Sequence, residues 1–238
     1  MLRVASYNLR DLLDDVDAAA RVVRAISPDV LCLQEVPRDV LSAHRISSFG
    51  ARCGLYWSGG HRGSGGTTVM ASLRLDVADV QHRPLKVAWP QRERGYAVTR
   101  VRLPGRSAVT FASVHLSLDA GERAVHAATV LETLQGQEPL VVAGDLNEGP
   151  DGKAWKAIAG RLRVASGEAP TFPAGSPRHR LDVIFASPGL RVASSGTPGP
   201  NGDRRDSGRV ELDPADLVAA TDHLPVWVDL DLSDLTLR

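Results

Sequence analysis

The sequence predicts one large β-rich domain in which strands and helices alternate. Short apolar runs recur along the whole chain and end in polar residues at breaks marked by Gly or Pro, as buried strands do. Between several of them stand segments with apolar residues three and four apart, the helical period. The length of 238 residues exceeds the common domain size but suits a single β-rich domain, and no internal repeat or linker divides residues 1–238.

Leu2–Asn8 reads as a strand ending in Tyr7-Asn8. Asp14–Ile26 is predicted helical, with Val16, Ala19, Val23 and Ile26 on one face and Asp residues at its start. Ser27-Pro28 stops it. Asp29–Val36 is apolar nearly throughout, as expected for a strand covered on both faces, and it closes on Glu35. That carboxylate either reaches solvent or is paired or bound to a cation. Arg38–Phe49 is a helix or helical loop. Ser58–Gly66 is a Gly-rich loop without the Lys-Ser/Thr ending of a P-loop, read as a flexible connection before the strand Thr67–Leu73.

Arg83–Arg106 carries seven basic residues against one acid, Glu93. Within it Tyr96–Leu103 alternates as a strand, with Arg100 and Arg102 on one face. Such a stripe is either a phosphate-binding surface or a solvated strand face. Ser107–Leu116 is a strand ending in Val114-His115-Leu116. Asp119–Gln135 follows as a helix with an Asp119/Glu122 capping pattern and a stripe of Val125, Ala128, Leu131 and Leu134.

Val141–Pro150, VVAGDLNEGP, is the segment around which the others are arranged. Three apolar residues form a buried strand that breaks at Gly144 and delivers Asp145 and Asn147 to one side of its end. Asp151–Gly160 is a short helix. Arg180–Ser187 is a strand whose Asp182 shares a face with Ile184 and needs a buried partner. Pro188–Arg209, rich in Gly, Pro, Arg and Asp, is expected to be a mobile loop. Thr221–Pro225 sets Asp222 and His223 just before the closing strand Val226–Leu232.

Net charge is zero, with 28 basic and 28 acidic residues, so no global field favours nucleic acid or a membrane surface. Two cysteines, Cys32 and Cys53, make neither a disulfide framework nor a zinc site. There is no apolar signal region and no run of membrane-spanning length. A soluble cytoplasmic monomer without stable membrane association is the expectation.

Asn8, Glu35, His115, Asp145, Asn147, Asp182, Asp222 and His223 are scattered in sequence but alike in position, each at or near a strand-to-loop junction. In order, SYN, LQEV, VHLS, GDLN, LDVIF and TDHLPV resemble the endonuclease/exonuclease/phosphatase superfamily, whose members are similar to deoxyribonuclease I. The resemblance covers nearly the whole chain, and GDLN and DHLPV are its specific parts.

The resemblance implies an α+β fold, a four-layer α/β sandwich of two mixed, mostly antiparallel sheets flanked by helices. It also implies divalent-metal-dependent hydrolysis of a phosphoester by water. Glu35, Asp222 and the Asn8 amide are hard oxygen donors suited to Mg²⁺, with Mn²⁺ as an alternative. By the same resemblance His223 is a base or a phosphate donor oriented by Asp182, while Asp145 and Asn147 position the nucleophile and phosphate. His115 stabilises phosphoryl charge. Arg92 and Arg94 of the basic stripe, and Arg123 after the HL motif, are candidate phosphate ligands. One departure stands out: Ser64–Met70 offers no acid to support His115. The substrate stays open among nucleic acid, other phosphodiesters and phosphomonoesters. The alternative is a phosphate-binding module with a decayed site.

Overall fold

The computed structural model describes residues 1–78, 80–198 and 210–235. In chain order the elements are β1 (Leu2–Asn8), α1 (Val16–Ile26), β2 (Val30–Gln34), α2 (Ser42–Cys53), β3 (Tyr56–Trp57), β4 (Thr68–Ala71), β5 (Asp76–Val77), β6 (Gln81–Leu85) and β7 (Arg94–Arg102). There follow β8 (Val109–His115), α3 (Ala120–Thr133), β9 (Leu140–Asp145), α4 (Lys153–Ala159), β10 (Arg163–Val164), β11 (Asp182–Ala186), β12 (Arg191–Gly196), α5 (Pro214–Ala220) and β13 (Val226–Asp231). One sheet has the order β12-β13-β1-β2-β4-β3. The other runs β10-β11-β9-β8-β7-β5, with β6 also on β7. Pairing is antiparallel except for β1 with β2 and β8 with β9.

Strand alternation sorts the apolar residues into three cores. Ala5, Tyr7, Leu31 and Leu33 face outward from the first sheet onto α1, α2 and α5. Ala112, Val114, Val142, Val183 and Phe185 face outward from the second onto α3 and α4. Between the sheets lie Leu2, Val4, Val30, Cys32, Val109, Phe111, Val141, Ala143, Ile184, Val226 and Val228. Helices, sheet, sheet and helices make up the four layers that the resemblance implies.

The inward-facing residues place the site. Along β1 they read Leu2, Val4, Ser6, Asn8, and along β2 Val30, Cys32, Gln34. Along β8 they read Val109, Phe111, Ser113, His115, and along β9 Val141, Ala143, Asp145. Each strand therefore turns from apolar to polar toward its C-terminal end. β11 runs the other way and enters the same end with Asp182. The register sets His115 beside Asp145 and Asp145 beside Asp182 on adjacent strands. Gln34 Nε2 donates to Ser113 Oγ at 3.0 Å across the sheets, so the first polar layer is internally bonded.

Several expectations need correction. The α3 stripe is rotated: Ala127, Val130, Leu131 and Leu134 are buried, while Val125 is 64% exposed. The 127/130/131/134 spacing gives a fuller helical face against the second sheet. Glu122 does not complete a capping box; its carboxylate accepts from Ser117 Oγ and the Ala88 backbone, while Asp119 caps Glu122 N at 2.9 Å. The Gly-rich loop is a packed turn, because buried Ser64 Oγ bonds to the Thr67 carbonyl at 2.7 Å and to His82 Nδ1 at 2.9 Å. Within Pro188–Arg209, Arg191–Gly196 is the edge strand β12 on β13, and 199–209 lie outside the described residues. Residues 214–220 form α5, capped by Asp213 with Pro214 in the first turn, a start signal the sequence carried.

Gly144 sits where β9 passes closest to β8, and a Cβ there would overlap the Val114 carbonyl oxygen. Gly144→Ala should therefore cost about 2–3 kcal/mol in urea unfolding, because a backbone ladder cannot yield to the added methyl. Gly189→Ala, with open space at its Cβ, should stay within about 0.5 kcal/mol of wild type.

Candidate active site

Each functional side chain is delivered by a strand end or by the turn after it. Asn8 closes β1, and its Nδ2 donates to Asp145 Oδ2 at 3.1 Å and toward Glu35 Oε1 at 3.5 Å. Its Oδ1 accepts from the Arg10 backbone at 3.1 Å. Glu35 follows β2 with a positive φ of 48°, a left-handed turn that a non-Gly residue seldom takes. Asn147 also has a positive φ, 53°, and its backbone N–H donates to Asp145 Oδ1 at 2.8 Å. This Asx turn, not strand alternation, brings Asn147 into the site. Its Nδ2 then bonds to His115 Nε2 at 3.2 Å and to the Leu116 carbonyl at 3.0 Å.

The pairing of Asp182 with His223 spans the two sheets. His223 Nδ1 donates to Asp182 Oδ2 at 2.9 Å, and its Nε2 lies 3.8 Å from Asp145 Oδ2. Phe172 packs on the imidazole at 4.8 Å between ring centroids, a neighbour no sequence pattern marks. Burial opposes the charge on His223, but Asp182 and Asp145 outweigh it and push the ring's pKa up to about 10. Burial foremost, with the adjacent Asp182 charge, pushes Asp145 up to about 6 against the pull of His223.

His115 is held well below the ordinary histidine value, by burial first and then by Arg94 and His223. A neutral ring accepting at Nε2 carries its proton on Nδ1, which is buried without a partner among the described residues.

The three candidate arginines differ. Arg92 NH1 donates to Glu35 Oε2 at 3.1 Å, and NH2 pairs with Asp11 Oδ2. Asp11 escaped the sequence reading; only its place three residues after Asn8 could have drawn attention to it. Arg94 is buried and donates to the Leu116 carbonyl at 3.0 Å, so it is no part of a solvated stripe. Burial lowers its pKa. Arg123 binds Glu148 at 2.7 Å and the Leu118 carbonyl at 2.7 Å. Arg94 and Arg123 thus engage the His115–Leu118 segment and the GDLN loop. Arg100 and Arg102 lie on an exposed face, where Arg102 pairs with Asp76.

Hard oxygens dominate the centre. Asp145 and Asp182 are buried neighbours, and with His223 they offer one ligand atom each within 4.8 Å of one another. The imidazole of that trio is already committed to Asp182. Glu35, beside Asp145, is the better match to a hard divalent cation; Asn8 turns its Nδ2 toward both, its oxygen being taken by the Arg10 N–H. Asp222 is paired with Arg10, whose Nε is 3.7 Å from Asp222 Oδ2.

The raised His223 pKa has a stability consequence. A group raised on folding stabilises fully below its unfolded value, about 6.5, and the contribution is lost as pH rises through about 10. The urea midpoint should therefore fall between about pH 7 and 10, and His223→Gln should flatten that fall. NMR titration of the ring should place its pKa above that of a free imidazole, and Asp182→Asn should bring it down. A ring that titrates near 6.5 in wild type would contradict the pairing.

Comparison with known proteins identifies the family and the fold. Residues 5–223 match the Endonuclease/Exonuclease/phosphatase family. Protein YbhP of Escherichia coli strain K12 is 27% identical over 231 residues, covering 81% of this chain and 82% of that protein. Among solved structures, the endonuclease/exonuclease/phosphatase from Bacteroides vulgatus superposes with a TM-score of 0.79 at 18% identity, over 98% of this chain and 99% of that one. The mannosyl-6-phosphatase Bt3783 of Bacteroides thetaiotaomicron VPI-5482 gives a TM-score of 0.73 at 20% identity, over 97% and 100%. Those two likenesses establish the fold. The family match over residues 5–223, on a fold that gathers Asn8, Glu35, His115, Asp145, Asn147, Asp182 and His223 at one end of the sheets, shows that the chain belongs to the endonuclease/exonuclease/phosphatase family.

Proposed function

We propose that this protein hydrolyses a phosphoester with the help of a divalent metal ion, Mg²⁺ or Mn²⁺. The observation that carries the reading is the facing of Asp145 and Asp182 in adjacent strands, with Glu35 close by and His223 bonded to Asp182 between the sheets. Such a group of carboxylates calls for cations, and a phosphoryl group held by a metal supplies the matching anion. Glu35 would hold the ion, joined by the Asn8 oxygen once its amide turns over and by Asp222 once released from Arg10. The ion, when bound, neutralises charge on the phosphate or the leaving oxygen.

The chain's own groups then divide the work. Asp145, with a pKa raised toward neutrality, accepts the proton of the attacking water. His223, charged at neutral pH, donates from Nε2 to a phosphoryl oxygen while Asp182 holds the ring at Nδ1. Asn147 and His115 form a second, neutral pair beside Asp145, in which the Asn147 amide donates to His115 and to the Leu116 carbonyl and so fixes the wall of the site. Arg94 and Arg123 brace this wall, and Arg92 is the arginine left to meet substrate. No described helix is long and apolar enough to cross a membrane, and phosphate esters in solution, nucleic acid among them, are the substrates proposed. A monomer in the cytoplasm completes the proposal.

Bis-p-nitrophenyl phosphate tests the reaction class. Turnover should require Mg²⁺ or Mn²⁺ and stop with EDTA, and Glu35→Gln should nearly abolish it with the fold intact by circular dichroism. Metal-independent turnover, or a fully active Glu35→Gln, would reject the assignment. A phosphate-binding module with a decayed site would show no turnover on any phosphoester.

A second measurement concerns the relay. Asp182→Asn and His223→Ala should each lower kcat by about 10²–10⁴. The double variant should be scarcely worse than the poorer single, because the two residues act as one unit. Losses that multiply would make Asp182 an independent ligand.

A further inference from the structure

Residues 86–93 form a strap between β6 and β7 that is pinned along its length. The Lys86 carbonyl bonds to His126 Nε2 at 2.7 Å, and Ala88 N donates to Glu122 Oε1 at 2.6 Å. Ser117 Oγ lies 2.7 Å from Gln91 Oε1, and Gln91 N donates to the Ala88 carbonyl at 2.9 Å. The strap's backbone is therefore held, while one long side chain, Arg92, reaches inward to Glu35 and Asp11. That contact lies at the rim: the side chains of Arg92 and Glu35 are 39% and 19% exposed.

We infer that Arg92 is an exchangeable cation: it holds Glu35 until a divalent ion takes that carboxylate, and its guanidinium then passes to the substrate's phosphoryl oxygens. The inference rests on the phosphoesterase reading above and adds an order to it, metal before substrate.

Three features carry it. First, Glu35 has one oxygen turned toward the Asn8 amide and the other bonded to Arg92. A hard dication bound through this carboxylate competes with the guanidinium for the same charge, and two cations on one carboxylate repel. Second, the NH1 group of Arg92 freed from Glu35, while NH2 stays on Asp11, needs another oxygen acceptor, and a phosphoryl oxygen is a matched one. Third, the exchange needs only new rotamers in one partly exposed side chain, a fast motion, because the strap itself is anchored. Arg94, two residues on, is the contrast. It is buried on a backbone carbonyl and has nowhere to go.

The consequence is a reciprocal coupling between metal and phosphate binding. Calorimetric titration of the full chain with Mg²⁺ alone, inorganic phosphate alone, and phosphate at saturating Mg²⁺ measures it. The variants are Arg92→Ala, Glu35→Gln and Arg38→Ala. The last removes an equal charge that is bonded to Glu93 and not to Glu35.

Arg92→Ala should bind Mg²⁺ about two- to fivefold more tightly at low ionic strength, the size expected of a rim ion pair, and the gain should shrink with salt. It should bind phosphate more weakly in the presence of Mg²⁺. The factor by which Mg²⁺ improves phosphate affinity should also shrink, whereas Arg38→Ala should keep the wild-type factor. The exchange is overturned if Arg92→Ala leaves that factor unchanged or binds Mg²⁺ no more tightly. It is equally overturned if Arg38→Ala shifts both quantities as far, which would reduce the effect to a general field. Undiminished Mg²⁺ binding by Glu35→Gln would place the ion elsewhere and also overturn it. If wild type takes up neither Mg²⁺ nor Mn²⁺, the phosphoesterase reading itself falls, and the exchange falls with it.

Discussion

The hydrogen bond from His223 to Asp182 is the interaction on which the rest of this end of the molecule depends. It joins a residue just before β13 in one sheet to the first residue of β11 in the other, so it closes the gap between the two layers at their polar edge. A buried imidazolium beside two buried carboxylates tolerates little displacement, since leaving one partner uncompensated typically costs about 3–5 kcal/mol. The apolar half of the interlayer, from Leu2 and Val4 to Val226 and Val228, supplies the burial that holds this arrangement closed. Stability and chemistry are thus segregated along the same strands, one at each end.

Charge balance explains why the arginines are so unlike one another. Asp145, Asp182 and Glu35 place three carboxylates at one end of the sheets, and His223 offsets only part of that charge. Arg94 contributes a fixed positive charge behind His115 and helps keep that ring neutral. Arg92 offsets Glu35 and Asp11 from the rim, where water competes and the pairing is weak enough to exchange. A neutral pair, Asn147 with His115, on one side of Asp145 and a charged ring, His223, on the other make the site asymmetric.

The loops complete the site through their anchoring. Glu148, directly after GDLN, accepts from both Arg123 and the Trp155 backbone, which ties the Asp145–Asn147 turn to α3 and α4 at once. The strap 86–93 and the segment Ser117–Leu118 are bonded to each other and to the start of α3. Loop residues that bear chemistry are in this way backed by helices, the usual condition for holding polar groups in place.

How much of this was legible beforehand follows from range. Strand alternation and helical spacing are local, so the runs ending at Asn8, Glu35, His115 and Asp145, and the helix after Asp14, could be read from the sequence alone. Asp182 could be identified as a buried acid in need of a partner because its face was shared with Ile184. The motif order carried the fold class and the catalytic candidates. Pairings between distant segments were not legible. That Arg92 meets Glu35 and Asp11, that Arg94 is buried on Leu116, and that Phe172 covers His223 are facts of sheet order and loop packing. Composition misled where tertiary contacts override it: the glycines of Ser58–Gly66 suggested flexibility, but Ser64 and His82 lock that loop, and Val125 looked like core until the second sheet selected the neighbouring face of α3. The sequence by itself determined which residues are polar among apolar neighbours and at which strand ends they fall, because those are short-range properties of the chain. Only the tertiary structure decided which of them share protons and charge, because that depends on two sheets being stacked so that their polar edges coincide, C-terminal ends of β1, β2, β8 and β9 with the N-terminal end of β11 and the turn before β13.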